Sequence, residues 1–193
     1  MILVDKIMEM IIMYNFNKKQ ETPIFVCDMD ETLITTDYKT DKEKYFMELS
    51  HKEPIQPMMD IFNIAKEKMD TIILTARHPK LQNEIIQKFD CDTICRDYCI
   101  DMEEIKRSVH SKNLSREFLQ DMVEHKTRIV NEFAETRSHV LFCDDRMDIF
   151  DHMEFEDNVI PLKPIHLWEN SMTMEERKIH FFKPLQMDDT YAY

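Results

Sequence analysis

The apolar run Pro-Ile-Phe-Val-Cys ends in Asp28-Met29-Asp30-Glu31-Thr32, and the run His-Val-Leu-Phe-Cys ends in Asp144-Asp145-Arg146. The first motif alone also reads as a strand-end turn with solvated carboxylates. Two adjacent acids directly after a buried run are costly unless something neutralises them. A divalent cation is the simplest neutraliser, and clustered carboxylates suit Mg²⁺. A third run ends in Thr75-Ala76-Arg77, a weak signal by itself because threonine closes many strands. Lys126, in His-Lys-Thr-Arg-Ile-Val near the start of a long helical segment, reads alone as a solvated surface lysine.

These residues need elements to position them. Five short apolar runs predict strands: Ile24–Cys27, Thr71–Thr75, Thr93–Cys95, His139–Cys143 and Val159–Leu162. The first, second and fourth are rich in Ile, Val, Leu and Phe, as strands buried on both faces require. Helix-period segments lie between and beyond them at Pro57–Lys68, Pro79–Phe89, Arg116–Glu135 and Met147–Met153. Pro57 and Pro79 suit first-turn positions. Alternating strands and helices predict an α/β fold, a doubly wound parallel sheet of about five strands with helices on both faces. Such sheets bind ligands at the carboxyl ends of their strands, where the acids lie.

The body is expected over residues 22–165, with small insertions at about 35–53 and 100–123. Residues 1–21 predict an amphipathic helix docked on that body, with Leu3, Ile7, Met10 and Ile11 at helical spacing. Residues 166–193 predict a last helix and a polar tail, with Trp168, Phe181 and Phe182 packing it down.

Composition bounds the chemistry further. The 193 residues include no glycine, where about 13 are expected at ordinary usage. P-loops, dinucleotide-binding glycine fingerprints, kinase glycine loops and nucleophile elbows are therefore excluded. Any φ > 0 position must be carried by a residue with a Cβ. The net charge of −13 repels nucleic acid and anionic membranes, so a nucleic-acid substrate requires a local basic patch or a bridging metal. No apolar run reaches the roughly 18 residues of a membrane span, and the N-terminus lacks the pattern of a signal peptide. Five cysteines without secretory context predict reduced thiols and a cytoplasmic setting, the host's cytoplasm if the source is a virus or phage. Cys91, Cys95 and Cys99 have helix-face spacing, but a strand across Cys95 breaks that face. Buried thiols are favoured there over zinc. The sixteen methionines read as core filler.

Taken in order, D-x-D-x-T, Thr75, Lys126 and Asp144-Asp145, each attached to its expected element, resemble the haloacid dehalogenase superfamily of phosphohydrolases. The resemblance covers about residues 22 to 165. It implies that Asp28 is the nucleophile and that Asp30 is the general acid and later base. Thr32 would fix the phosphate loop, and Thr75 and Lys126 would hold the phosphoryl oxygens. Mg²⁺ would be bound by Asp28, the Asp30 main-chain carbonyl, Asp144 and Asp145. Glu31 departs from the glycine common after the second Asp, and Ala76 and Cys143 stand where other members often carry small residues or glycine. None of these departures removes a reactive group.

Thr-x-Arg at Thr75 and Arg77, with Asp-Asp-Arg at Asp144 to Arg146, is similar to the phosphatase domain of phage-type polynucleotide kinase–phosphatases. That similarity implies a 3′-phosphate at a nucleotide or polynucleotide end, gripped bidentately by Arg77. Asp-Met-Asp-Glu-Thr-Leu-Ile also resembles carboxy-terminal-domain protein phosphatases, and a small-metabolite phosphatase lies between the two. A non-catalytic binding protein on the same fold is the reading from another class. No obligate protein partner and no membrane are implied.

Overall fold

The computed structural model describes residues 22–35, 49, 53–97, 116–146, 150 and 154–164, with the backbone alone for 116–119. Among them, strands β1 (Ile24–Cys27), β2 (Asp70–Thr75), β3 (Asp92–Cys95), β4 (Val140–Cys143) and β5 (Val159–Leu162) form one sheet. The order is β3-β2-β1-β4-β5 and every pairing is parallel. The chain therefore winds outward from β1 to one edge, then returns to the other side of β1. The order reverses between β1 and β4, which makes that crevice the topological switch point where open α/β sheets take ligands.

Among the described residues three α-helices cover the sheet: α1 (Gln56–Lys68), α2 (Gln82–Phe89) and α3 (Arg116–Thr136). Pro57 lies in the first turn of α1, where its missing N–H leaves no gap. The sequence predicts one helix from Pro79 to Phe89. Instead a 3₁₀ turn, Pro79–Leu81, precedes α2, because the His78 ring accepts the Lys80 N–H at 3.1 Å and tightens the entry. Asp90 ends α2 in the left-handed region at φ 47, a position glycine usually takes. Lys66 reaches over to donate to the last carbonyl, Phe89 O, at 2.8 Å.

Side chains alternate between the faces at each strand step. Phe25, Cys27, Ile73, Leu141 and Cys143 pack on one face with Phe62 of α1 and Ile85 and Phe89 of α2. Ile24, Val26, Leu74, Val140 and Phe142 pack on the other with Met122, Val123, Ile129 and Val130 of α3. This is the doubly wound topology of haloacid dehalogenase-like proteins.

Residues 116–123, shared in sequence between an insertion and a helix, are the first turns of α3, and Met122 and Val123 are core. The other segment leaves and returns at one place. Thr35 N–H donates to Glu53 O, and Ile55 N–H to Leu33 O, both at 2.8 Å. Of the segment expected to be helical at 147–153, Phe150 is described. It is buried edge-on to Phe142, with ring centroids 5.2 Å apart. The expected N-terminal helix and the tail from residue 166 lie outside the described residues. No helix among those described is long and apolar enough to cross a membrane.

Candidate active site

Register builds the site before any loop does. Cys27 pairs with Cys143 across β1 and β4, so the next residues, Asp28 and Asp144, leave the sheet side by side at the switch point. The ladder continues one step further, with Asp28 N–H donating to Cys143 O at 2.8 Å and Asp144 N–H to Leu162 O at 3.2 Å. By alternation both carboxylates belong to the α3 face, in line with Ile24 and Val26 and with Val140 and Phe142.

Helix α3 meets them with a lysine. Lys126 lies on the same helical stripe as Met122, Val123, Ile129 and Val130, and is 2% exposed. Its ammonium donates to Asp28 Oδ1 at 2.7 Å and to Asp144 Oδ2 at 2.6 Å. The solvated lysine of the isolated sequence reading is replaced by a buried bridge between the two strand-end acids. Asp28 and Asp144 outweigh burial and push the Lys126 pKa up, so the ammonium stays charged.

Asp145 completes a group of three. One carboxylate oxygen from each of Asp28, Asp144 and Asp145 lies within 4.8 Å of the others. Burial pushes the Asp28 carboxyl well above the usual carboxylate range; Lys126 opposes the rise, while Asp144, Asp145 and Asp30 add to it. Asp145 is pushed up to about 7, first by burial and then by Asp144. Three acids against one lysine leave an excess of negative charge, which protons relieve when no metal is bound and a divalent cation would relieve in their place. The donors are hard carboxylate oxygens from two strand ends, a set that fits Mg²⁺ and not a thiophilic metal.

The loop after β1 is held by its own backbone. Leu33 and Ile34 N–H both donate to Met29 O, at 2.8 and 3.1 Å, and Glu31 N–H donates to Ile34 O at 2.8 Å. Met29, Leu33 and Ile34 are buried beneath it. Closing this turn requires Glu31 to adopt φ 55, the left-handed conformation that glycine would take without cost. Thr32 is fully buried, and its hydroxyl donates to Asp28 Oδ2 at 3.4 Å.

Thr75 and Arg77 close the site from β2. Thr75 is fully buried and its Oγ1 accepts the Arg77 N–H at 3.2 Å. The Arg77 guanidinium faces Asp30. Nε donates to Asp30 Oδ2 at 2.8 Å and Nη2 to Oδ1 at 2.6 Å. The fork expected on a phosphate is thus on the carboxylate expected to act as acid and base. Arg96, just past β3, is a support that sequence reasoning missed. Its N–H donates to Arg77 O at 3.3 Å and its guanidinium to Ala76 O at 3.4 Å. Its only sequence signal was its place after a strand.

Cys91 and Cys95 are buried thiols: Cys91 donates to Thr71 O at 3.2 Å, and burial pushes both up to about 11. Among the described residues, the group placed to hold a metal is Asp28, Asp144 and Asp145, without a cysteine. Cys99 lies outside the described residues.

Compared with protein-family models, with curated proteins and with solved structures, the chain matches none. What identifies the site is therefore its own construction. A parallel Rossmann-like sheet carries a buried cluster of three aspartates at its switch point, consistent with the catalytic and metal site of haloacid dehalogenase-type hydrolases.

Proposed function

We propose that this chain is a Mg²⁺-dependent phosphomonoester hydrolase that works through an aspartyl-phosphate on Asp28. The observation that carries the reading is the meeting of Asp28, Asp144, Asp145 and Lys126 at the β1/β4 crevice. Asp28, Asp144 and Asp145, with the main-chain carbonyl of Asp30, would hold Mg²⁺. When bound, the ion supplies charge compensation for the phosphoryl oxygens.

The chain's own residues supply the rest. Asp28 attacks phosphorus in line with the ester oxygen, and the carboxylate–phosphorus bond forms as the phosphorus–oxygen bond breaks. Asp30 gives a proton to the departing oxygen, then takes one from the water that attacks the aspartyl-phosphate. Inorganic phosphate leaves, and Asp28 returns as a carboxylate. Lys126 favours the ionised form of Asp28 and faces the incoming phosphoryl group. Thr75, whose oxygen already accepts the Arg77 N–H, keeps its hydroxyl proton to donate to a phosphoryl oxygen. Thr32 steadies Asp28.

The substrate proposed is a phosphate at a nucleotide or polynucleotide 3′ end, on the strength of the Thr-x-Arg and Asp-Asp-Arg patterns. A strand end asks less of a chain carrying −13 than a long duplex would. Reduced thiols and a cytoplasmic setting accompany this reading. The test is a panel of 3′-phosphate oligonucleotides, mononucleotides, phosphopeptides and sugar phosphates at fixed salt with Mg²⁺. Hydrolysis fastest on the first two, abolished by EDTA and by Asp28→Asn, supports the proposal. Turnover confined to phosphopeptides or sugar phosphates refutes the substrate class, and an inert wild type refutes the activity.

A further inference from the structure

We infer that Arg77 is a positioning residue for the acid–base carboxylate of Asp30, and that it does not grip the transferred phosphate. The inference rests on the phosphatase reading above and deepens it.

Three observations carry it. First, the guanidinium engages Asp30 through two nitrogens at 2.8 and 2.6 Å, one to each carboxylate oxygen. Two parallel bonds fix the plane of a carboxylate as well as its place, which a single bond leaves free to turn. Second, Arg77 is 1% exposed. Burial strengthens the pair by excluding water, and the guanidinium edge carrying Nε and Nη2 is committed to Asp30. Third, both ends of the pair are braced. The Arg77 N–H is fixed by Thr75 Oγ1 and its carbonyl by the Arg96 N–H. On the other side, Asp30 is joined to Ile34 by a backbone bridge. Desolvating an arginine in this way is costly, and orienting Asp30, which lies outside the Asp28–Asp144–Asp145 group, is a use for it.

The chemistry of the step shows where this orientation matters. As Asp28 bonds to phosphorus, the ester oxygen leaves with the bonding electron pair and takes a proton from the Asp30 carboxyl, giving an alcohol and the Asp30 carboxylate. A nitrophenolate leaves readily without that proton. An alkoxide does not. Misplacing Asp30 therefore slows alkyl esters selectively, whereas losing a phosphate ligand slows all esters alike.

The experiment measures kcat/KM for an alkyl phosphate and for nitrophenyl phosphate with Mg²⁺. The variants are Arg77→Lys, Asp30→Asn, the double variant and Asp30→Glu. Arg77→Lys keeps the charge and removes the fork. It is expected to lose about 100-fold on the alkyl ester, within the range for general acid catalysis, and at least about tenfold less on the aryl ester. Asp30→Asn should show the same skew, and the double variant should be no slower than Asp30→Asn on the alkyl ester. Asp30→Glu keeps the acid but moves it against the fork, and should share the skew even if Arg77→Lys folds poorly. Equal losses on both esters in Arg77→Lys would overturn the inference, and a parallel rise in the inhibition constant of inorganic phosphate would place Arg77 on the phosphate. Undiminished alkyl hydrolysis by Asp30→Glu would overturn it too. An inert wild type, seen before any variant is compared, refutes the phosphatase reading itself.

Discussion

Replacing Glu31 by glycine should stabilise the protein. Glu31 sits at φ 55 in the turn that follows the proposed nucleophile. Holding a residue with a Cβ in the left-handed region costs roughly 1–2 kcal/mol. Glycine removes that cost but gives back about 0.4–1 kcal/mol through the freedom of the unfolded chain. Taking the middle of each range, the net gain is about 0.8 kcal/mol. Glu31 also raises the proton affinity of Asp145, so any substitution that removes the carboxylate changes the acid cluster. The proper reference is therefore Glu31→Ala, which removes the charge and keeps the Cβ. Glycine should melt above alanine by about 1–4 °C for a chain of this length. Thermal unfolding followed by circular dichroism, with the same scan for both variants, measures the difference. Equal melting temperatures, or a lower one for glycine, would show that the left-handed turn carries no such cost.

Three further outcomes follow from the same geometry. Lys126→Met leaves Asp28 and Asp144 buried without their cation and should cost about 3–5 kcal/mol in urea unfolding without metal, with Mg²⁺ restoring much of it. Mg²⁺ at about 100 times its dissociation constant should stabilise the wild type by roughly 2.7 kcal/mol. Asp144→Asn should sharply reduce that shift in a melting titration, and binding should weaken at acid pH because Asp28 and Asp145 must release their protons to solvent before they can ligate the ion. Burial lowers the His125 and His139 pKa values below 6.5, so the folded state binds fewer protons there than the unfolded chain. Stability should accordingly fall as pH drops from about 6.5 toward the folded values, and a His139→Asn variant should flatten that slope in denaturant melts.

Much of the fold was legible because its strands are short, apolar and buried on both faces. Ile24–Cys27 and Val159–Leu162 have the predicted bounds, and the other three differ at one end by a single residue. The start of α2 was less legible, because the His78 ring, not a propensity, sets the 3₁₀ turn. Within the site, Asp28, Asp144 and Asp145 could be paired from sequence because each follows a strand end. Lys126 was readable in principle from its stripe, since Met122, Val123, Ile129 and Val130 put position 126 on the core side of α3. The Arg77–Asp30 fork was not readable. Spacing along the chain says which residues approach the same sheet end, but not which of two anions, a ligand phosphate or a neighbouring carboxylate, an arginine will face.

The seating of β4 against β1 also sets a schedule for synthesis. Asp28 and Lys126 are 98 residues apart, and Asp144 lies 18 beyond the lysine. At roughly 5–20 residues per second, Asp28, the proposed nucleophile, leaves the ribosome several seconds before the lysine and acids that complete its surroundings. Until then one margin of β1 is an open edge, with its backbone donors and acceptors exposed to any passing strand. A strand buried along its whole length is thus the one that waits longest for its second neighbour, and the aspartate at its tip meets its lysine and its partner acid only when that wait ends.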